Sequence, residues 1–305
     1  MVDMSTRVGS TVLPTPVMTA SGTAGHGGEL GRYVPLDSLG ALVVKSLSIM
    51  PWEGNPGPRV VQLPGAMMNS VGLQGPGVAG WISEELPALR ASGARIVASI
   101  WGRTVDEYRQ AAEALVAVQD DLTAVEINVS CPNIEDRRKM FAHSCESAAT
   151  VIHATEALEV PRWAKLSPNV SDIAEIAGAA GDAGAAAVTL TNTLLGLVLD
   201  STTGQPVLGG GGGGVSGPAM RPVALRAVFD VSAAHSELPI VGVGGIADAE
   251  DAVQYLRAGA SAVQVGTATF ADPRSTARVT KDLETWCNKA RIPRVADLIG
   301  TAHDR

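Results

Sequence analysis

Eight short apolar or β-branched runs punctuate the 305-residue chain, each ending in a polar or glycine-bearing turn. They fall at 17–21, 41–46, 95–101, 124–130, 162–167, 186–192, 239–244 and 261–266. Between them lie stretches of helical periodicity at 105–119, 145–158, 170–183, 222–234 and 249–258, several introduced by capping residues such as Thr104 and Ser171. Near-continuous apolar strands need cover on both faces, which a parallel sheet flanked by helices provides. Eight such units predict an α/β fold closed into a (β/α)8 barrel, as one domain over 1–305. The alternative is a doubly wound open sheet, but no G-x-G-x-x-G follows the first run, so the barrel is preferred.

Composition agrees with a tightly packed α/β core: 46% of residues are hydrophobic, only 4% aromatic, and 34 are glycine. With 23 Lys and Arg against 31 Asp and Glu the net charge is −8, and no basic run stands out, which argues against a nucleic-acid partner. The three cysteines, Cys131, Cys145 and Cys287, have no metal-ligand spacing, and an odd number argues against a disulfide framework. No metal site is expected. The N-terminus lacks a basic region followed by an apolar one, and the longest apolar stretch, 183–199, carries Thr189, Thr191, Asn192 and Thr193. A soluble, reduced, cytoplasmic protein without a membrane span is the expectation.

Two connections, 49–80 and 193–222, are too long for simple turns, and both follow strand C-termini, the end at which barrel enzymes build their sites. The glycine run 209–214 reads as a flexible surface loop. Glycine pairs after the last two strands, Gly244-Gly245 and Gly266 beside Thr267, mark the place where barrels commonly cradle a phosphate. Backbone free of side chains lets N–H groups approach an anion there. Cys131 stands at the end of the fourth strand between Asn128 and Asn133, and its thiol reads equally well as a small hydrophobe or as a catalytic group. Lys45 and Lys165 lie within apolar strands, where an ammonium needs an anionic or strongly polar partner.

The segments ASG (20–22), VVKSLS, GNPGPRV, NSVGLQGPG, EINVSCPN, AKLSPNVSDI, LTNTLLG, VSGPA, VGVGGI and AVQVGTA occur in this order over nearly the whole chain. Together they resemble the class 1 dihydroorotate dehydrogenases, especially the branch that works with an iron–sulfur flavoprotein subunit. The resemblance implies bound FMN and oxidation of (S)-dihydroorotate to orotate in de novo pyrimidine biosynthesis. In that scheme Cys131 is the base for the substrate C5 proton while hydride passes from C6 to flavin N5. Lys45 serves catalysis, substrate and flavin together, and Lys165 faces the flavin N1/O2 edge. Asn69, Gly72, Leu73, Asn128, Asn133, Asn192 and Thr193 match substrate contacts. Ser21, Lys45, Ser46, Ser99, Asn128, Lys165, Gly217, Gly244, Gly245, Gly266 and Thr267 match FMN contacts. The resemblance also implies a homodimer that docks an iron–sulfur, FAD-containing electron-transfer subunit.

Three features depart from the family pattern: Ser99 where relatives usually carry Asn, a highly charged 134–143 loop without its usual glycines, and the long 209–214 glycine run. Two other readings stay open at the level of sequence. One is a dihydropyrimidine dehydrogenase-like flavoenzyme acting on a related substrate. The other is a non-redox isomerase or lyase using the same phosphate cradle.

Overall fold

A computed structural model describes residues 2–130 and 140–304. Eight parallel strands form one sheet: β1 (Val17–Thr19), β2 (Leu42–Val43), β3 (Ile96–Ile100), β4 (Leu122–Asn128), β5 (Arg162–Leu166), β6 (Ala187–Leu190), β7 (Ile240–Val243) and β8 (Ala262–Val265). Their spatial order, β1-β8-β7-β6-β5-β4-β3-β2, follows the chain around a ring. Four hydrogen bonds join the first and last members: Gly40 N–H to Val17 O at 2.9 Å, Thr19 N–H to Ala41 O at 3.2 Å, Val43 N–H to Thr19 Oγ1 at 2.8 Å, and Thr19 Oγ1 to Val43 O at 3.5 Å. The predicted (β/α)8 barrel is therefore observed, and each predicted strand falls where the apolar runs placed it.

Both faces of each strand are buried because alternate residues serve different layers. Outward-facing residues such as Val125, Ile127, Ala164 and Leu166 pack into the large core beneath the helices. Inward, each strand contributes one residue to a second, separate cluster: Met18, Val43, Val97, Ala124, Trp163, Ala187, Val241 and Ala262. Val8 and Leu13 of the antiparallel hairpin Thr6–Val8/Thr11–Leu13 join this cluster and close the barrel floor. Two residues further along, the same inward face changes character, to Ala20, Lys45, Ser99, Glu126, Lys165, Thr189, Val243 and Gln264. The barrel interior is thus an apolar plug with a polar layer directly above it.

Helix starts are capped by short polar side chains, which satisfy N–H groups that have no intrahelical acceptor. Thr104 accepts from Glu107 N–H, Ser144 from Ser147 N–H, and Asp248 from Asp251 N–H. For helix Ile173–Asp182 the cap is Asp172 rather than the predicted Ser171. Its Oδ1 accepts from both Ala174 and Glu175 N–H, and a carboxylate there also complements the helix dipole.

The two long connections are not free loops. They pair with each other into a four-stranded antiparallel sheet ordered Leu194–Gly196, Gly213–Ser216, Ala66–Asn69, Val60–Leu63. The expectation of a flexible glycine run at 209–214 is corrected by the same sheet. A Cβ on Gly209 would stand 2.3 Å from Pro56 O, on Gly213 2.4 Å from Asn69 O, and on Gly214 2.0 Å from Thr193 Oγ1. These glycines are there because neighbouring backbone, and at Gly214 the Thr193 side chain, leaves no room for a side chain. No helix among the described residues is long and apolar enough to cross a membrane.

Candidate active site

Above the polar layer, at the C-terminal ends of the barrel strands, opens a pocket of about 1050 Å³ counted out to its mouth. On one side the cradle residues Gly217, Gly244, Gly245, Gly266 and Thr267 form its wall. A Cβ on Gly244 would meet Ala224 Cβ at 2.5 Å, and one on Gly245 would meet Gly217 O at 2.8 Å, both at positive φ. Only glycine fits this backbone. Tyr255 fixes it from behind, donating its hydroxyl to Gly244 O at 2.6 Å, and burial pushes that phenol well above its ordinary pKa so that it remains a donor. Thr267 Oγ1 donates to Ser216 Oγ at 2.9 Å, tying the cradle to the four-stranded sheet.

The same lining carries amides. Asn192 Nδ2 donates to Asn128 Oδ1 at 3.1 Å, the same Oδ1 accepts from Ser130 N–H at 3.2 Å, and Asn192 Oδ1 accepts from Thr193 N–H at 2.8 Å. Tyr108 hydroxyl donates to Asn128 O at 2.6 Å. Asn69 and Leu73 enter from the paired insertions, Asn69 Nδ2 reaching Gly214 O at 3.4 Å. Leu73 adopts a left-handed backbone, φ 63°, immediately after Gly72 at φ 73°. A side chain held there is strained unless its surroundings fix it. Ser21, Lys45, Ser46 and Lys165 complete the wall, with Ser21 and Ser46 hydroxyls 3.2 Å apart.

The sequence names eighteen site positions; sixteen are among the described residues, and of these fourteen line the pocket while two stand back from it. Ser99 is fully buried; its hydroxyl bonds Ser46 Oγ at 2.8 Å and Glu126 Oε1 at 3.4 Å, one layer below the pocket. Gly72 lies off the lining and its carbonyl accepts from Trp52 Nε1 at 2.9 Å. Cys131 and Asn133 lie outside the described residues.

Sequence reasoning missed Glu126, the partner that a strand lysine demanded. Its carboxylate is fully buried and accepts from Lys165 Nζ at 3.2 Å and from Gln264 Nε2 at 2.9 Å. The signal was present: a period of two along β4 puts Glu126 on the same inward face as Ala124 and Asn128. His26 lies off the pocket lining but close enough to Lys45 to feel its charge. Burial first, and then the Lys45 ammonium, hold this imidazole below its ordinary value.

A barrel with a glycine cradle facing two inward lysines and a cluster of amides belongs to the class of enzymes that seat an anionic, phosphate-bearing group beside a small polar substrate. The family model for dihydroorotate dehydrogenase matches residues 4–286, and the chain belongs to that family of oxidoreductases. It is similar to proteins named dihydroorotate dehydrogenase B (NAD(+)), catalytic subunit. The Trichlorobacter lovleyi protein is 43% identical over 298 residues, 97% of each chain. Those of Geotalea uraniireducens and Geobacter sulfurreducens are 42% identical over 299 residues, 98% of this chain and 97% of theirs. The non-redox reading falls away with this membership.

Proposed function

We propose that this chain is the catalytic subunit of a cytoplasmic, FMN-dependent dihydroorotate dehydrogenase, oxidising (S)-dihydroorotate to orotate in pyrimidine biosynthesis. The observation that carries the reading is one pocket lined together by the glycine cradle, the amides Asn69, Asn128 and Asn192, and the lysines Lys45 and Lys165. The residues fit FMN: the cradle has no room for a Cβ at Gly244 or Gly245, and cationic side chains line the floor where an electron-rich ring would lie. When bound, FMN supplies the two-electron acceptor that the chain's own side chains lack.

Gly217, Gly244, Gly245, Gly266 and Thr267 would hold the phosphate through backbone and hydroxyl donors. Ser21, Ser46 and Asn128 would line the flavin ring, and Lys165 would supply a positive charge to its N1/O2 edge. Asn69, Asn128, Asn133 and Asn192 each offer a donor and an acceptor, matching a cyclic ureide, while Lys45 pairs with the substrate carboxylate. Cys131 takes the C5 proton. A thiol of ordinary pKa about 8.5 ionises only in part near neutrality, so its position beside the substrate matters as much as its basicity. The relatives' names as catalytic subunits of an NAD⁺-dependent enzyme support a partner electron-transfer subunit; in the proposed assembly that partner is an iron–sulfur, FAD-containing protein docked on a homodimer of this chain.

The test is anaerobic mixing of the purified protein with dihydroorotate. Bleaching of a bound FMN chromophore is the expected result. A colourless protein, or a yellow one that dihydrouracil reduces and dihydroorotate does not, would overturn the assignment.

A further inference from the structure

Glu126 is a carboxylate with no exposed surface, in the middle of a barrel, one layer beneath the pocket floor. Its two oxygens meet three side-chain donors among the described residues: Lys165 Nζ at 3.2 Å and Ser99 Oγ at 3.4 Å on Oε1, and Gln264 Nε2 at 2.9 Å on Oε2. The Gln264 amide turns its NH₂ inward and leaves its own Oε1 without a hydrogen-bond partner. That orientation costs the amide an acceptor contact and presents its NH₂ to the Glu126 carboxyl group. Lys165 is itself nearly buried, 6% exposed, yet it also lines the pocket. One end of a buried ion pair therefore faces the ligand, while the other is sealed in the barrel by Gln264 and by Ser99, which continues through Ser46 to the pocket wall.

We infer that Glu126 is a positioning residue for the redox reaction. It fixes the Lys165 ammonium and offsets part of its charge, so that the bound flavin responds to the Glu126–Lys165 pair and not to the lysine alone. The inference rests on the FMN reading given above. A buried ammonium without a counter-charge would stabilise the reduced, anionic ring more strongly than the pair does. Ser99 belongs to the same device, since its hydroxyl bridges Glu126 and Ser46 without touching the pocket.

The experiment is the midpoint potential of the flavin bound to the full chain at neutral pH, measured spectroscopically against reference dyes for wild type, Glu126→Asp and Glu126→Gln. Glu126→Gln keeps shape and removes charge, and should shift the reduction equilibrium toward the reduced ring about tenfold, about 30 mV for a two-electron couple. Glu126→Asp keeps the charge but withdraws it from Lys165, and should shift it in the same direction by less. A purely structural role predicts no such graded order. If Glu126→Gln does not fold, the comparison of Glu126→Asp with wild type decides the question. A flavin potential unchanged in the variants that fold overturns the inference and leaves the FMN assignment standing. Wild-type protein that takes up no FMN overturns both.

Discussion

At the scale of single residues, the chemistry divides between groups the pocket exposes and groups it hides. Cys131→Ala should keep FMN bound while slowing flavin reduction by dihydroorotate by about 10²–10⁴-fold, the usual worth of a positioned general base. Stopped-flow bleaching of the flavin measures it, and equal rates in the two proteins would remove Cys131 from the mechanism. Cys287 is fully buried and Cys145 partly so, and burial pushes both thiols above their ordinary pKa. Both should accept serine with little change in that rate. His26 carries a pH signature. Its folded pKa lies below the ordinary 6.5, so the unfolded chain binds the proton more readily. Stability is therefore full above about pH 7 and declines as pH falls through 6.5 toward the folded value. His26→Gln should flatten that decline in urea titrations between pH 7 and 5. An unchanged slope would mean that other groups carry it.

At the scale of elements, the barrel strands were legible and the sheet over the mouth was not. β4 and β5 announce themselves through local apolar runs, whose burial on both faces needs no knowledge of distant sequence. Gly213–Ser216 has no such signature. Its glycines are required by Asn69 and Thr193, which come from other parts of the chain, and the pairing with Ala66–Asn69 spans nearly half the sequence. The site shows the same division. Asn128, Lys45 and the glycine cradle were readable from motif and position, whereas Glu126 emerged only when strand alternation was set against Lys165 of the adjacent strand Arg162–Leu166 and Gln264 of Ala262–Val265 across the barrel. The sheet invites a direct test. In Gly213→Ala the new methyl meets Asn69 O at 2.4 Å, so the strand carrying Asn69 has to move, with local strain of about 1–3 kcal/mol. Orotate affinity should fall while the far-ultraviolet circular dichroism of the barrel persists. In the control, Gly28→Ala, the methyl meets only Ala88 Cβ at 3.9 Å and should leave affinity unchanged.

At the scale of the whole molecule, the question is where the electrons go after the substrate has been oxidised. The described residues build the barrel, its floor hairpin and the four-stranded sheet beside the pocket. On the proposed partnership, the isolated chain reduced with dihydroorotate should be reoxidised slowly by NAD⁺ and rapidly once an iron–sulfur, FAD-containing partner is added. Following flavin absorbance with NAD⁺, fumarate and a water-soluble quinone offered separately distinguishes the cases. Fast reoxidation by NAD⁺ alone would show that no partner is needed, and fast reoxidation by fumarate would make the chain self-sufficient. The apolar plug bears on the order of these events. Eight side chains, one from each strand, with Val8 and Leu13 beneath them, close the barrel interior below the pocket. In the proposed reaction dihydroorotate and orotate share the pocket above this plug, so product and substrate exclude one another. Steady-state kinetics should accordingly show orotate competing with dihydroorotate, and the two half-reactions taking turns at the same threshold.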